Sequence, residues 1–311
     1  MKWFTDTFYQ KIVAEDMPLL ADLDRNGIMC GDDEDTTAFA ARLSMLQKNM
    51  DKMEASLASA GFYEISGIKL CKKDRISEAI FKESQTLTKN LYDFKIKWIP
   101  GFFLNHGMGF LFGGCAFSFY PDFFALFIIR NSFRKKRRWL CYCREELLAH
   151  ELCHIARMSL KADTYEEMFA YQTATSSFRK IIGGIFRSPI DSFAFLGVTL
   201  LLLLSQILRT FWLPGLPAWP FWGLLGGTLL WQTARHIHRS HLFWRAVRIL
   251  GKGFGRHYSM PVAFRCSDSD INRLASLQSG SELKKWLSDR CRDSLRWRVV
   301  CYRYLDEGSK S

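Results

Sequence analysis

Between Phe193 and Leu208 the chain is almost wholly apolar, broken only by Thr199, Ser205 and Gln206, and the run extends through Phe211 and Trp212. About twenty such residues in a helix are enough to cross the hydrocarbon layer of a bilayer. Pro214-Gly215-Leu216-Pro217 then makes a turn, and a second apolar stretch runs from Trp219 to Trp231 and on to Thr233. This pattern predicts a transmembrane helical hairpin over residues 189–234, with spans near 191–212 and 217–233. Trp212, Trp219, Trp222 and Trp231 supply interfacial anchors.

The charges flanking the hairpin set its direction. Arg179, Lys180 and Arg187 precede the first span, and Arg235, Arg239, Arg245, Arg248 and Lys252 follow the second. The connecting turn has neither Lys nor Arg, and Arg209 near it can snorkel. Positive charge stays on the cytoplasmic side, so both termini are expected there in an integral membrane protein with the lipid bilayer as partner. The net charge of +12 over 311 residues fits anionic headgroups. Met1-Lys2-Trp3-Phe4 has no apolar signal core, so the internal spans are expected to direct insertion. Nine cysteines without a C-x-x-C pair read as reduced cytosolic thiols.

The chemistry is concentrated upstream, at His150-Glu151-Leu152-Cys153-His154. From Arg144 to Met158 there is no Gly or Pro, and Leu147, Leu148, Leu152, Ile155 and Met158 recur at helical spacing. Residues four apart share a helix face, so His150 and His154 point the same way and can hold one Zn2+. Glu151 stands beside them as a general base. Lys161-Ala162-Asp163 reads as a short turn. Asp163 and Glu166 form a capping box that opens a second helix, from Thr164 to about Lys180. Two antiparallel helices with so short a turn bring Glu167 level with His154. Glu167 is therefore the expected third ligand, with Ala170 keeping that face small. Glu166, about 100° away on the helix, is the alternative third ligand.

H-E-x-x-H followed by E-x-x-A on the next helix resembles the gluzincin metallopeptidases, over roughly residues 123–180. The resemblance implies a zincin-like catalytic core, a glutamate as third zinc ligand, and hydrolysis of peptide bonds by zinc-activated water. It also implies a strand at the rim of the cleft along which an extended substrate pairs. The aromatic, β-branched stretch Asp122–Asn131 is the expected strand. Tyr171 stands where many members carry an acidic residue that orients a histidine. Tyr171 and His106 are the candidate second-shell or transition-state donors.

The whole is expected to be an α+β chain: a helical region over 1–96, the zincin-like core over 97–188, the hairpin, and a basic helical region over 235–311. Thr36–Ala60, Arg75–Phe94, Asp268–Gln278 and Glu282–Tyr304 read as helices. Asp22–Asp33 has some calcium-loop features but reads as an acidic turn, since its twelfth position is Asp33 rather than Glu. The Trp98–Tyr120 segment reads as sheet and turn entering the core. The basic run Arg134–Arg138 reads as a solvated loop able to meet lipid headgroups, and His236, His238 and His241 as part of an interfacial basic helix. No finger, recognition helix or stacking platform points to nucleic acid. The expected function is a membrane-anchored zinc metallopeptidase acting on a peptide or protein substrate. The alternative is a non-catalytic zincin-like scaffold or sensor.

Overall fold

A computed structural model of the chain describes residues 5–104, 113–119, 124–140, 142–160, 162–186 and 189–306. Helices α1 (Asp6–Val13), α2 (Met17–Arg25) and α3 (Thr36–Ser59) open it. Their starts are set by Thr5, Asp16 and Asp35, whose side chains accept backbone N–H groups of the first turn. Helix α3 buries Leu46, Met50 and Met53 at the expected spacing, while Met45 faces outward. A hairpin of β1 (Phe62–Ile65) and β2 (Ile68–Cys71) follows, turned by Ser66 and Gly67 in left-handed backbone. Helix α4 (Glu78–Tyr92) leads into the sheet.

That sheet has β3 (Gly101–Leu104), β4 (Gly114–Phe119) and β5 (Phe124–Arg130) in the order β3-β5-β4. β3 runs parallel to β5, and β4 antiparallel to it. The strand expected at 122–131 is present as β5, but it is central and buried from Phe124 to Ile129. Both of its hydrogen-bonding edges are taken, so it cannot pair a substrate. Among the described residues β4 is the edge strand on the side of the histidine helix.

After the short β6 (Arg138–Trp139) and β7 (Tyr142–Cys143) come α5 (Arg144–Arg157), α6 (Glu166–Tyr171) and α7 (Ser177–Ile182). The single helix expected over 164–180 is therefore divided. Thr173 Oγ1 bonds back to the Ala170 carbonyl, and the Glu146 carboxylate accepts both the N–H and the hydroxyl of Thr175. These side-chain bonds compete with the helical ladder and end it. The Asp163–Glu166 capping box does not form either. The Asp268 carboxylate accepts the N–H groups of Asp163, Thr164 and Tyr165 instead. In the basic run, Arg134 pairs with Asp74 and Arg137 with Glu145, leaving only part of its charge to the solvent.

Helices α8 (Pro189–Phe211) and α9 (Trp219–Phe254) pack together as a hairpin. Among the described residues α8 alone is long and apolar enough to cross a membrane, and only 17% of its apolar window is buried in the protein. The second span expected at 217–233 is corrected: it is the start of a 36-residue helix that continues without a break through Arg235 and Arg239. The C-terminal part of α9 carries Phe243, Val247 and Leu250 into the core against α10 (Ser259–Phe264), α11 (Asp268–Ser276) and α12 (Gly280–Asp293). Helix α13 (Leu295–Cys301) follows a break at Ser294, so the helix expected over 282–304 is two. Cys291 of α12 and Cys301 of α13 are brought side by side; six other described cysteines are free.

The terminal regions meet through buried ion pairs. Asp24, in α2 rather than in a turn or calcium loop, pairs with Arg265 and Arg303, and Arg303 also pairs with Asp93. Removing one partner of a buried pair leaves the other charge uncompensated and costs about 3–5 kcal/mol. Asp24→Asn is therefore expected to lower unfolding free energy by about that much. Denaturant unfolding checks it, and a loss below about 1 kcal/mol, the size of an exposed pair, would show that these guanidinium groups find water instead.

Candidate metal centre

Helix α5 forms because Arg144–Arg157 lacks helix breakers and places Glu145 and Glu146 in its first turn and His154 and Arg157 in its last. Leu148, Leu152 and Ile155 bury one face against the core. His150 and His154 therefore emerge together on the side facing α6. Their Nε2 atoms lie 3.1 Å apart. Glu167, in the first turn of α6, brings Oε2 to 3.5 Å from His150 Nε2 and Oε1 to 3.6 Å from His154 Nε2. The structure thus gathers the three residues expected as ligands into one cluster.

The donor set can be tested against a metal ion. Zinc–nitrogen bonds of about 2.0–2.1 Å in a tetrahedron require ligand atoms roughly 3.3 Å apart. The three observed separations bracket that value. The ring orientations point the same way. His154 turns Nδ1 to the Glu166 carboxylate at 3.3 Å, and His150 hydrogen-bonds the backbone of Ala170. Both Nε2 atoms are directed into the cluster, where a proton on His154 can bridge them. Two imidazole nitrogens and a carboxylate thus face one another, a donor set in which a metal cation can take the place of that proton. Two imidazoles and one carboxylate suit zinc.

The electrostatics agree. Burial holds His150 well below the usual imidazole range, helped by the charges of His154 and Arg179. Burial also opposes charge on His154, but Glu166, Glu167 and Glu151 outweigh it and raise His154 to about 9. A point where carboxylates favour positive charge this strongly also favours a metal cation. Glu151 is pushed up to about 7 by burial, partly offset by His154 and by a hydrogen bond from the backbone of Ala116. Burial raises Glu167 as well, against the pull of His154.

Glu166 is not placed as a ligand. Its Oε1 faces His154 Nδ1, and its Oε2 accepts from Arg157 Nε at 2.7 Å. It is the carboxylate that orients His154, a supporting part for which the sequence offered Tyr171 and His106. The Tyr171 ring stands edge-on to His150, centroids 4.8 Å apart, and walls the imidazole, whose hydrogen bond goes to Ala170. His106 lies outside the described residues. His236 bonds the Ile181 carbonyl, and with His238 and His241 it forms no donor cluster among the described residues.

Several contributors were not anticipated. Arg157 is wholly buried, lies over the Phe169 ring and donates to the carbonyls of Phe264 and Cys266. Tyr92 donates to the Phe169 carbonyl and fixes α6. Ala116 of β4 donates its N–H to Glu151 Oε2 at 2.7 Å, which places the edge strand beside the motif. A cleft of about 340 Å3 opens there, lined by Ala116, Glu151, His154, Met158 and Glu166. The one sequence signal that could have marked Arg157 is its position three residues after His154 on the motif helix.

The fold is mostly helical α+β, and its site is a His2Glu cluster able to bind a metal ion. Comparison with models of protein families, with curated proteins and with solved structures finds no match. The site reading therefore rests on geometry. Partners that orient a ligating histidine typically contribute 10–100-fold to metal affinity. Glu166→Gln is expected to weaken zinc binding by roughly that factor, and His154→Ala to abolish it. Competition against a chromogenic chelator measures both, and unchanged affinity in the two variants would remove this cluster as the zinc site.

Proposed function

We propose that this chain is a membrane-anchored zinc metallopeptidase of gluzincin type. The observation that carries the reading is the convergence of His150 Nε2 and His154 Nε2, 3.1 Å apart, on the Glu167 carboxylate, whose Oε2 and Oε1 lie 3.5 and 3.6 Å from them, with Glu151 beside them. His150, His154 and Glu167 would hold the zinc. When bound, zinc supplies Lewis acidity that polarises a carbonyl and makes water nucleophilic near neutral pH.

The protein's own groups do the rest. Glu151 Oε2 is held by the Ala116 N–H, which fixes the carboxylate while Oε1 takes a proton from water and passes it to the leaving amine. Strand β4, the edge of the sheet among the described residues, runs beside Glu151, where an extended peptide can add as a further strand. Glu166 and Arg157 keep His154 in its orientation.

Anchoring is assigned to α8, with the apolar start of α9 returning beside it. Asp191 pairs with Arg235 at 2.6 Å, and Gln232 bonds the Asp191 carbonyl, so the two helices are level at their polar ends. Lys and Arg cluster at those ends and are absent from the connecting turn. Under this reading the charge pattern keeps the polar ends of α8 and α9, and with them the metal centre, on the cytoplasmic side.

General-base catalysis contributes roughly a hundred- to ten-thousand-fold. Glu151→Gln is expected to keep wild-type zinc content and lose hydrolysis of a mixed peptide library by about that factor. Mass spectrometry of the digest and elemental analysis of detergent-purified protein read the two quantities. Zinc bound without Glu151-dependent cleavage would favour the scaffold or sensor reading.

A further inference from the structure

The short helix α7 carries an apolar row that the metal centre and its hairpin do not explain. Phe178 and Ile181 are 68% and 67% exposed, and Ile182 and Phe186 are exposed beside them. Positions 178, 181 and 182 lie on one helix face. Four large exposed apolar side chains within nine residues form a patch of the kind that marks an interaction surface. The row continues into the exposed Ile190, Phe193 and Leu196 of α8.

The other face of this segment is clamped to the metal centre. Arg179 turns inward onto Glu146 of α5. Gly183 lies so close to the Tyr171 ring that a Cβ there would sit 2.2 Å from it, and Tyr171 in turn walls His150. A Cβ on Gly184 would meet both Met168 of α6 and His236 of α9 at 3.2 Å. His236 bonds the Ile181 carbonyl one residue beyond Arg235, whose pairing with Asp191 marks the base of the hairpin. The segment thus joins the metal-site helices to the level where the apolar hairpin begins.

We propose that α7 docks on the bilayer surface, with Phe178, Ile181, Ile182 and Phe186 lying at the headgroup–acyl boundary. The inference rests on α8 being membrane-inserted. Two observations select lipid as the occupant. The row is continuous with α8, whose apolar surface is itself largely uncovered. Charge is complementary to anionic headgroups: from Met168 to Ile190 the chain has no Asp or Glu and, besides the Arg179 that pairs with Glu146, carries Lys180 and Arg187. Amphipathic elements of this kind sink their apolar face about 5–10 Å into the interface. Docking there fixes the metal centre beside the membrane surface rather than leaving it to swing on a hairpin.

The test uses full-length protein in vesicles of phosphatidylcholine and phosphatidylglycerol. Photoreactive benzoylphenylalanine replaces Phe178, Ile181, Leu200 or Lys52 one at a time, and mass spectrometry identifies the adducts. Zinc content of each variant reports whether the core has folded. Lipid adducts at Phe178, Ile181 and Leu200, with none at Lys52, are expected. Lipid adducts at Leu200 alone would overturn the docking of α7 and leave the anchor standing. Adducts from Phe178 or Ile181 to protein would overturn it in favour of a second copy or another chain. Absence of lipid adducts at all four positions would sink the membrane reading itself.

Discussion

The Glu166 carboxylate, shared between His154 and Arg157, is the contact on which the arrangement of the site depends. One oxygen sets the imidazole, and the other is held by a guanidinium that no solvent reaches. Arg157 is held in turn by two carbonyls more than a hundred residues away in sequence. A histidine ring at the end of a helix is thereby fixed by the C-terminal helices. Burying a guanidinium is costly unless it is paired and hydrogen-bonded, and here the pairing doubles as orientation of a metal-site side chain.

A second dependence runs through Asp268. Its carboxylate receives three successive N–H groups at the start of α6, so α11 supplies the cap that α6 lacks. A six-residue helix has little intrinsic stability. It persists here because its start is capped from outside, Tyr92 holds its Phe169 carbonyl, and Phe169 packs against Phe243 and Phe264. Glu167 comes to the histidines because that short helix is pinned from three directions. The metal-site hairpin is thus stabilised by the whole molecule.

The sheet and the apolar helices place this hairpin between two kinds of surface. On one side β4, the edge strand among the described residues, runs beside Glu151; on the other, α7 and α8 expose apolar side chains that water does not favour. Under the proposed function, substrate approaches along the first and lipid lies against the second. The same short stretch, from Tyr171 to Gly184, touches both the imidazole of His150 and the base of α9. Under the proposed function, chemistry and anchorage are therefore neighbours in space as well as in sequence.

Local periodicity settled whatever depends on neighbours along the chain. Histidines four apart on an uninterrupted helix must share a face, and a short turn must bring Glu167 back to them. A mostly apolar run of about twenty residues without Pro, 193–212, reads as a helix. Strand β5 was legible for the same reason, since β-branched and aromatic residues crowd into seven positions. Its place in the middle of the sheet was not, because strand order is decided by pairing partners distant in sequence. The Asp163–Glu166 cap looked sufficient locally and lost to Asp268, more than a hundred residues away. The apolar start of α9 looked like a separate span; the helix runs on because Phe243, Val247 and Leu250 bury against α10–α12. The sequence by itself determined which side chains carry the donor chemistry. Tertiary structure decided which carboxylate joins the two histidines and which orients His154, because that choice turns on a buried arginine whose partners only the folded chain brings together.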